Sequence, residues 1–134
     1  MSEHENVERV QAVYAAFGRG DIVAFMDALT DDVVWEVLGP SDLPWFGTFH
    51  GKAGVREWLG MAMENLRFQV LEAREFIAQE DKVVALVRAE VTVTRTGRDF
   101  GGSEAHVWTL RDGKAARQQS YLNTAAVADT YRGR

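Results

Sequence analysis

The chain has 134 residues, of which 46% are hydrophobic and 26% charged, and a formal net charge of −5. This length suits one domain over residues 1–134, and the acidic balance, with Lys and Arg scattered, argues against a nucleic-acid partner. The absence of cysteine excludes disulfides, thiolate nucleophiles and cysteine-based metal sites. We find no apolar run long enough to span a membrane and no signal peptide, so a cytoplasmic protein without a membrane partner is expected.

The first part of the chain has helical periodicity. Apolar side chains recur every three or four residues at Val7, Val10, Tyr14 and Phe17. This spacing predicts an amphipathic helix with one buried face. After a Gly-Arg-Gly break, Asp21 is a candidate N-cap for a second helix. A third helix is predicted over 53–65.

Between the second and third helices the composition changes twice. A short strand is predicted over 33–38, where β-branched and aromatic residues dominate. The segment 39–51 then holds both prolines of the chain together with Trp45, Phe46 and Phe49. Proline and glycine indicate irregular backbone, whereas large aromatic side chains avoid full exposure. We therefore expect a lid or rim over a pocket.

The second half of the chain is predicted to form a sheet. Residues 67–78 and 83–94 alternate apolar and polar side chains, and a short helix is predicted over 124–131. The order helix, helix, strand, helix and then antiparallel strands indicates an α+β fold. Three N-terminal helices would pack on one face of a strongly curved sheet.

A β-hairpin near the C-terminal end is predicted to carry the functional side chains. Asp112-Gly113 supplies the positive φ angles that a two-residue turn needs. Because side chains alternate along a strand, one face of the first arm carries Glu104, His106, Trp108 and Leu110. One face of the second arm carries Arg117, Gln119, Tyr121 and Asn123. We expect these two faces to coincide and to form a pocket wall.

The opposite faces of the hairpin are small or weakly polar, with Ala105, Val107, Ala116, Ser120 and Leu122. We expect them to form the outer face of the sheet, where they offer a surface for a second copy of the chain.

The chain resembles the nuclear transport factor 2-like superfamily, in its ketosteroid-isomerase-like and SnoaL-like polyketide cyclase branches. The resemblance covers essentially the whole chain, and the order and spacing of several short motifs carry it. These are Tyr14-x-x-Phe17 with Arg19-Gly20-Asp21, Leu29 to Glu36, Gly47-x-x-x-Gly51-x-x-Gly54-Val55, Asp112-Gly113-Lys114 and Tyr121-Leu122-Asn123-Thr124. It implies a cone-shaped α+β barrel with a mixed, mainly antiparallel sheet. It also implies a homodimer that forms through the outer face of this sheet.

The resemblance also places family positions on this sequence. The aspartate base of ketosteroid isomerases falls at Val37, the oxyanion tyrosine near Val13 and the oxyanion aspartate near His106. This argues against steroid isomerisation by that mechanism. His106 matches the pocket histidine of SnoaL-like cyclases, whereas Asn123 stands where an aspartate is expected. An amide hydrogen-bonds a carbonyl but does not accept its proton.

From these residues we predict cofactor-free acid–base chemistry on a small hydrophobic carbonyl or hydroxyl compound, of isomerase, cyclase, lyase or hydrolase type. The predicted catalytic residues are His106, Glu36, Tyr121 and Asn123. The predicted substrate-binding residues are Tyr14, Trp35, Trp45, Phe46, Trp58, Glu104 and Trp108. No metal site is predicted, because the three histidines lie far apart in the sequence. The alternative is a non-catalytic ligand-binding or dimerisation module whose aromatic side chains fill the core.

Overall fold

The computed structural model describes residues 2–133, which form four helices and six strands. In chain order these are α1 (Glu3–Gly18), α2 (Ile22–Asp27), β1 (Leu29–Val37), β2 (Gly47–His50), α3 (Gly51–Asn65), β3 (Leu66–Gln79), β4 (Lys82–Val93), β5 (Asp99–Arg111), β6 (Lys114–Tyr121) and α4 (Thr124–Arg132). The predicted order of elements is confirmed, with β2 as an addition. None of the helices within the described residues is both long and apolar enough to cross a membrane.

Local hydrogen bonds explain where the first two helices begin. The Ser2 hydroxyl accepts from the Glu5 amide and the Glu5 carboxylate accepts from the Ser2 amide, which is a capping box. The Asp21 carboxylate accepts from the amide of Ala24 at 3.0 Å, so the predicted N-cap of α2 is confirmed. The two caps fix the ends of the helices that cover the sheet.

The strands form one open sheet in the order β2-β1-β6-β5-β4-β3. Neighbouring strands are antiparallel except β1 and β6, which run parallel. Helix α1 packs against β3 and β4, and α3 packs against β1 and β2. The predicted α+β cone on a mixed sheet is confirmed, with the core between the helices and the inner face of the sheet.

Strand β2 lies inside the segment that the composition predicts to be irregular. It has only four residues and pairs with β1 at the sheet edge, where Phe49 lies opposite Trp35. Four residues are too few for alternation to be visible in the sequence. Residues 39–46 are irregular, and the aromatic side chains Trp45 and Phe46 among them are buried.

A bulge in β6 sets the register between β5 and β6. The turn at Asp112 and Gly113 has φ angles of 52° and 79°, as predicted. Leu110 pairs with Ala115, but Thr109 already pairs with Arg117, so the ladder skips Ala116. Beyond an extra residue of this kind, the side chains of the bulged strand that a regular ladder would turn inward face outward, and those that it would turn outward face inward.

Candidate functional site

An apolar cavity lies between the helices and the inner face of the sheet. Its volume is ≈ 90 Å³, several times the ~10–15 Å³ that one water molecule requires. The residues that line it are mostly aromatic or aliphatic and include Val13, Phe17, Phe25, Trp35, Val37, Trp45, Trp58, Phe68, Phe100 and Leu122. Its polar lining consists of Tyr14, Glu104, His106, Gln118 and Ser120, besides the indole groups. Ligand sites commonly combine an apolar wall with a few such groups.

Four side chains of the cavity wall form a continuous line of hydrogen bonds. Trp108 Nε1 donates to the Tyr14 hydroxyl at 3.1 Å, and this hydroxyl lies 2.7 Å from His106 Nδ1. On the other side of the imidazole ring, Nε2 lies 3.0 Å from Glu104 Oε1. Tyr14 comes from α1 and the other three residues come from β5, so the line joins the helical layer to the sheet.

In the neutral form of the imidazole, the partners of its two nitrogens select one tautomer. A carboxylate oxygen only accepts, so Nε2 of His106 carries a hydrogen and donates to Glu104. The Tyr14 oxygen accepts from the indole and gives its own hydrogen to Nδ1. A hydroxyl, an imidazole and a carboxylate in this order are the arrangement by which a hydroxyl loses its proton to histidine while a carboxylate stabilises the imidazolium.

The Tyr14 phenol is held in its protonated form. Burial raises the pKa of this phenol well above its usual value of about 10. The hydrogen bond from Trp108 acts in the opposite direction, and the Glu104 charge adds to the increase in pKa. At neutral pH Tyr14 is therefore a hydrogen-bond donor, and it becomes a proton acceptor only if its own proton passes to His106 at the same time.

The raised pKa of Tyr14 predicts a loss of stability at alkaline pH. Above pH ~10 the unfolded chain releases this proton while the folded protein retains it, so the free energy of unfolding falls as pH rises, by up to ~1.4 kcal/mol per pH unit. Tyr14→Phe removes the proton and should give a shallower decline. Urea unfolding at several values between about pH 9 and 11.5 measures both slopes. Parallel curves for the two proteins would contradict this account.

Most of the predicted substrate-binding residues lie at the cavity. Six of the seven line it: Tyr14, Trp35, Trp45, Trp58, Glu104 and Trp108. Phe46 is buried but is not part of the lining; its ring packs against Trp45 at 5.7 Å between centroids. Of the predicted catalytic residues, His106 lines the cavity. Val13 and Val37, the positions that match ketosteroid-isomerase catalytic residues, line it as well.

The expectation that the two functionalised faces of the hairpin coincide is wrong. Beyond the bulge His106 pairs with Ser120 and Trp108 pairs with Gln118, so these side chains share the inner face. Tyr121 pairs with Ala105 on the outer face, where its side chain is 52% exposed. The bulge at Ala116 is the physical reason, because a regular ladder would have placed Tyr121 opposite Glu104.

Asn123 and Glu36 also lie outside the cavity lining. Asn123 is exposed and caps α4, accepting from the Ala126 amide at 3.2 Å. Glu36 alternates with the lining residues Trp35 and Val37, and on the other face its carboxylate accepts from Arg117 Nε at 2.9 Å. The catalytic roles predicted for Glu36, Tyr121 and Asn123 required these side chains to lie at the cavity, and none of the three is part of its lining.

The capping role of Asn123 can be tested by substitution. Asn123→Ala removes the acceptor for the first turn of α4 and should lower the free energy of unfolding by about 1 kcal/mol. Asn123→Asp keeps an acceptor and should leave stability nearly unchanged. Urea unfolding of the two variants checks this difference. Equal stability of Asn123→Ala and the wild type would contradict the assignment.

Two polar residues of the cavity, Gln118 and Ser120, were not predicted. The expectation that Ser120 and Leu122 lie on the outer, dimer-forming face is wrong, because both line the cavity. Ala105 and Val107 do lie on the opposite face from His106 and Trp108. No signal in Lys114–Tyr121 separates its two faces, since neither is consistently apolar. Across residues 2–133 no three His, Cys, Asp or Glu side chains group as metal ligands would.

Comparisons with known proteins agree with this fold. The family model described as SnoaL-like domain matches residues 10–118. A solved NTF2-like protein from Burkholderia xenovorans LB400 is 31% identical, with 98% of both chains covered and a TM-score of 0.89. An NTF2-like protein of unknown function from Burkholderia pseudomallei K96243 is 27% identical, also with 98% of both chains covered, and has a TM-score of 0.86.

A third solved structure, TerC co-crystallised with polyporic acid, is 34% identical. Here 96% of this chain and 98% of TerC are covered, with a TM-score of 0.82. None of the curated proteins compared with the sequence matches it. The family model spans most of the chain, and the first and third of these structures exceed 30% identity over nearly its full length. The chain therefore belongs to the SnoaL-like domain family of the nuclear transport factor 2-like superfamily.

Proposed function

We propose that this protein catalyses proton transfer, without a cofactor, on a small hydrophobic molecule that carries a carbonyl or hydroxyl group. The observation that carries the proposal is the line Tyr14–His106–Glu104 in the wall of an aromatic cavity. A buried phenol, imidazole and carboxylate in hydrogen-bonding order can move a proton with little rearrangement. The co-crystallisation of a 34% identical relative with polyporic acid supports a small organic ligand.

The proposed step uses Tyr14 as the group that meets the substrate. An activated C–H or O–H of the substrate gives its proton to the Tyr14 oxygen while that oxygen passes its own proton to His106 Nδ1. The substrate keeps the electron pair as an enolate or phenolate, and the imidazolium lies 3.0 Å from Glu104. Return of a proton along the same line, to the same or another substrate atom, restores the enzyme. This cycle covers isomerisation and aldol-type cyclisation.

The lining of the cavity narrows the substrate class. Of the lining residues in the described part of the chain, none is lysine or arginine, and Glu104 is the acidic one. A carboxylate or phosphate on the substrate would therefore meet a carboxylate without a neutralising cation. An apolar molecule with uncharged oxygen groups fits this lining best.

Hydrogen exchange of a simple ketone tests the proposal without knowledge of the natural substrate. 2-Indanone in D₂O loses its α-hydrogens to deuterium by the proposed proton abstraction, and NMR follows the loss. We expect the protein to accelerate exchange above the buffer rate, and His106→Gln to remove most of the acceleration. Binding of 2-indanone without faster exchange would favour the alternative, a binding module. The saturated hydrogen bonds of both imidazole nitrogens favour this alternative.

We further propose that the outer face of the sheet binds a second copy of the chain. Leu86, Ala105 and Tyr121 lie side by side across β4, β5 and β6, and Leu86 and Tyr121 are 37% and 52% exposed. Apolar side chains in such a row favour an isologous contact. Leu86→Glu should convert a dimer into a monomer in sedimentation experiments at micromolar concentration, whereas Leu38→Glu, at an exposed leucine just beyond β1, should not. A monomeric wild type would refute the proposal.

A further inference from the structure

Three buried polar atoms on residues that line the cavity lack a hydrogen-bond partner in the described structure. They are Nε1 of Trp35, Nε1 of Trp58 and Oε1 of Gln118. The three residues are 4%, 9% and 1% exposed, so bulk water does not reach these atoms easily. A buried polar atom without a partner is unfavourable, because it has lost its hydrogen bonds to water and gained none in the protein. Three of them among the lining residues of one cavity indicate a site that a bound molecule completes.

The three side chains are neighbours. Trp35 and Gln118 lie opposite each other on the parallel strands β1 and β6. The rings of Trp35 and Trp58 are 5.0 Å apart between centroids. The Gln118 amide is oriented by its other end, because Nε2 donates to Ser120 Oγ at 2.6 Å. Its carbonyl oxygen is thereby left without a donor, on a side chain that neighbours Trp35 across the two strands.

The chemistry of these atoms selects one functional group. The two indole groups only donate, and the amide oxygen only accepts. A hydroxyl group has two acceptor lone pairs and one hydrogen to donate, which matches the three atoms one for one. A carbonyl oxygen would satisfy the indoles and leave Gln118 unpaired, and an apolar group would leave all three unpaired.

We infer that Trp35, Trp58 and Gln118 form a subsite for an uncharged hydroxyl group, phenolic or alcoholic, on the ligand. Trp35 and Gln118, both almost fully buried, place this subsite at the inner end of the cavity, whereas the partly exposed Leu71, Phe100 and Leu122 line its outer part. The ligand would thus enter with its hydroxyl first. The inference rests on the cavity being the ligand site proposed above, but not on the proton-transfer chemistry.

The subsite can be tested with phenol and toluene, which have nearly the same size and differ in the hydroxyl group. Each is titrated into ¹⁵N-labelled wild-type protein while the indole N–H signals are followed by NMR. We expect phenol to bind about a hundredfold more tightly than toluene, because its hydroxyl adds three hydrogen bonds and each contributes roughly fivefold in affinity. The indole N–H signals of Trp35 and Trp58 are assigned by their absence from the spectra of Trp35→Phe and Trp58→Phe. Phenol should change the chemical shifts of these two signals more than that of the Trp108 signal, because the Trp108 N–H already donates to Tyr14.

Substitution of the acceptor adds a matched comparison. Gln118→Met has a similar size without the amide and should reduce the preference for phenol, because the hydroxyl keeps the two indole donors and loses its acceptor. Gln119→Met, one residue along on the outer face, should retain the full preference. Equal binding of phenol and toluene to the wild type, no binding of either, or a phenol response confined to Trp108 would overturn the inference. The wild-type comparison decides even if Gln118→Met does not fold. Since no turnover is measured, slow exchange of 2-indanone leaves this result unaffected.

Discussion

Replacement of Tyr14 by phenylalanine should slow the exchange of 2-indanone by about 10²–10⁴-fold, the usual contribution of a positioned acid–base group. The ring that packs against Phe76 and Trp108 is preserved, and only the oxygen between the indole and the imidazole is lost. The lost hydroxyl leaves Trp108 Nε1 and His106 Nδ1 without this partner. A drop in unfolding free energy of about 1–3 kcal/mol is therefore expected as well. Circular dichroism at the assay temperature ensures that folded protein is compared.

A second tyrosine provides the matched control. Tyr121 has its hydroxyl on the exposed outer face, so Tyr121→Phe should exchange 2-indanone at the wild-type rate within about twofold. Since Tyr14 and His106 act together in one concerted proton transfer, Tyr14→Phe combined with His106→Gln should be no slower than the slower single variant. The proposed line of hydrogen bonds would be contradicted if the double variant slowed exchange by the product of the two single effects. A larger effect on exchange at Tyr121 than at Tyr14 would also contradict it.

Replacement of His106 by leucine should have the largest effect on stability, a loss of about 2–4 kcal/mol. Leucine fills much of the ring volume but leaves the Tyr14 hydroxyl and the Glu104 carboxylate without the imidazole. The His106 and Glu104 side chains are only 10% and 14% exposed, so water does not fully replace the lost bonds. A glutamine side chain offers both an acceptor and a donor, so His106→Gln should lower the free energy of unfolding less than His106→Leu does. Urea unfolding at neutral pH measures the two variants.

The same substitution at an exposed histidine separates this effect from the general effect of an added leucine. His50 is exposed, and its side chain makes no capping bond to α3. His50→Leu should change the free energy of unfolding by less than about 0.5 kcal/mol. If His106→Leu were as mild as His50→Leu, the hydrogen bonds around the imidazole would contribute little to the fold.

The order of elements and the site residues of β5 could be predicted because each depends on local patterns. Helical spacing identified α1 and placed Tyr14 on its buried stripe, and alternation placed Glu104, His106 and Trp108 on one face of a strand. The hydrogen bond between Tyr14 and His106 joins residues 92 positions apart. No local pattern predicts which turn of a helix meets which residue of a strand, so this contact required the structure.

The residues of β6 were predicted on the wrong face for a different reason. The hairpin turn was identified correctly, and a regular ladder from that turn would have brought Tyr121 and Gln119 inward. The sequence of β6 alternates too weakly to reveal that Ala116 is skipped. Register in such a strand is decided by tertiary packing against the helices and β1, which periodicity does not report.

The bulge at Ala116 has a consequence for how this fold changes during evolution. Loss of one residue there would remove the bulge and leave Arg117 opposite Thr109 and Gln118 opposite Trp108, because the ladder already skips Ala116. The amide and the serine would then stay inside the cone. A single codon can thus be lost at this point of the strand without turning over the side chains that line the pocket, so this position tolerates a change of length in a descendant.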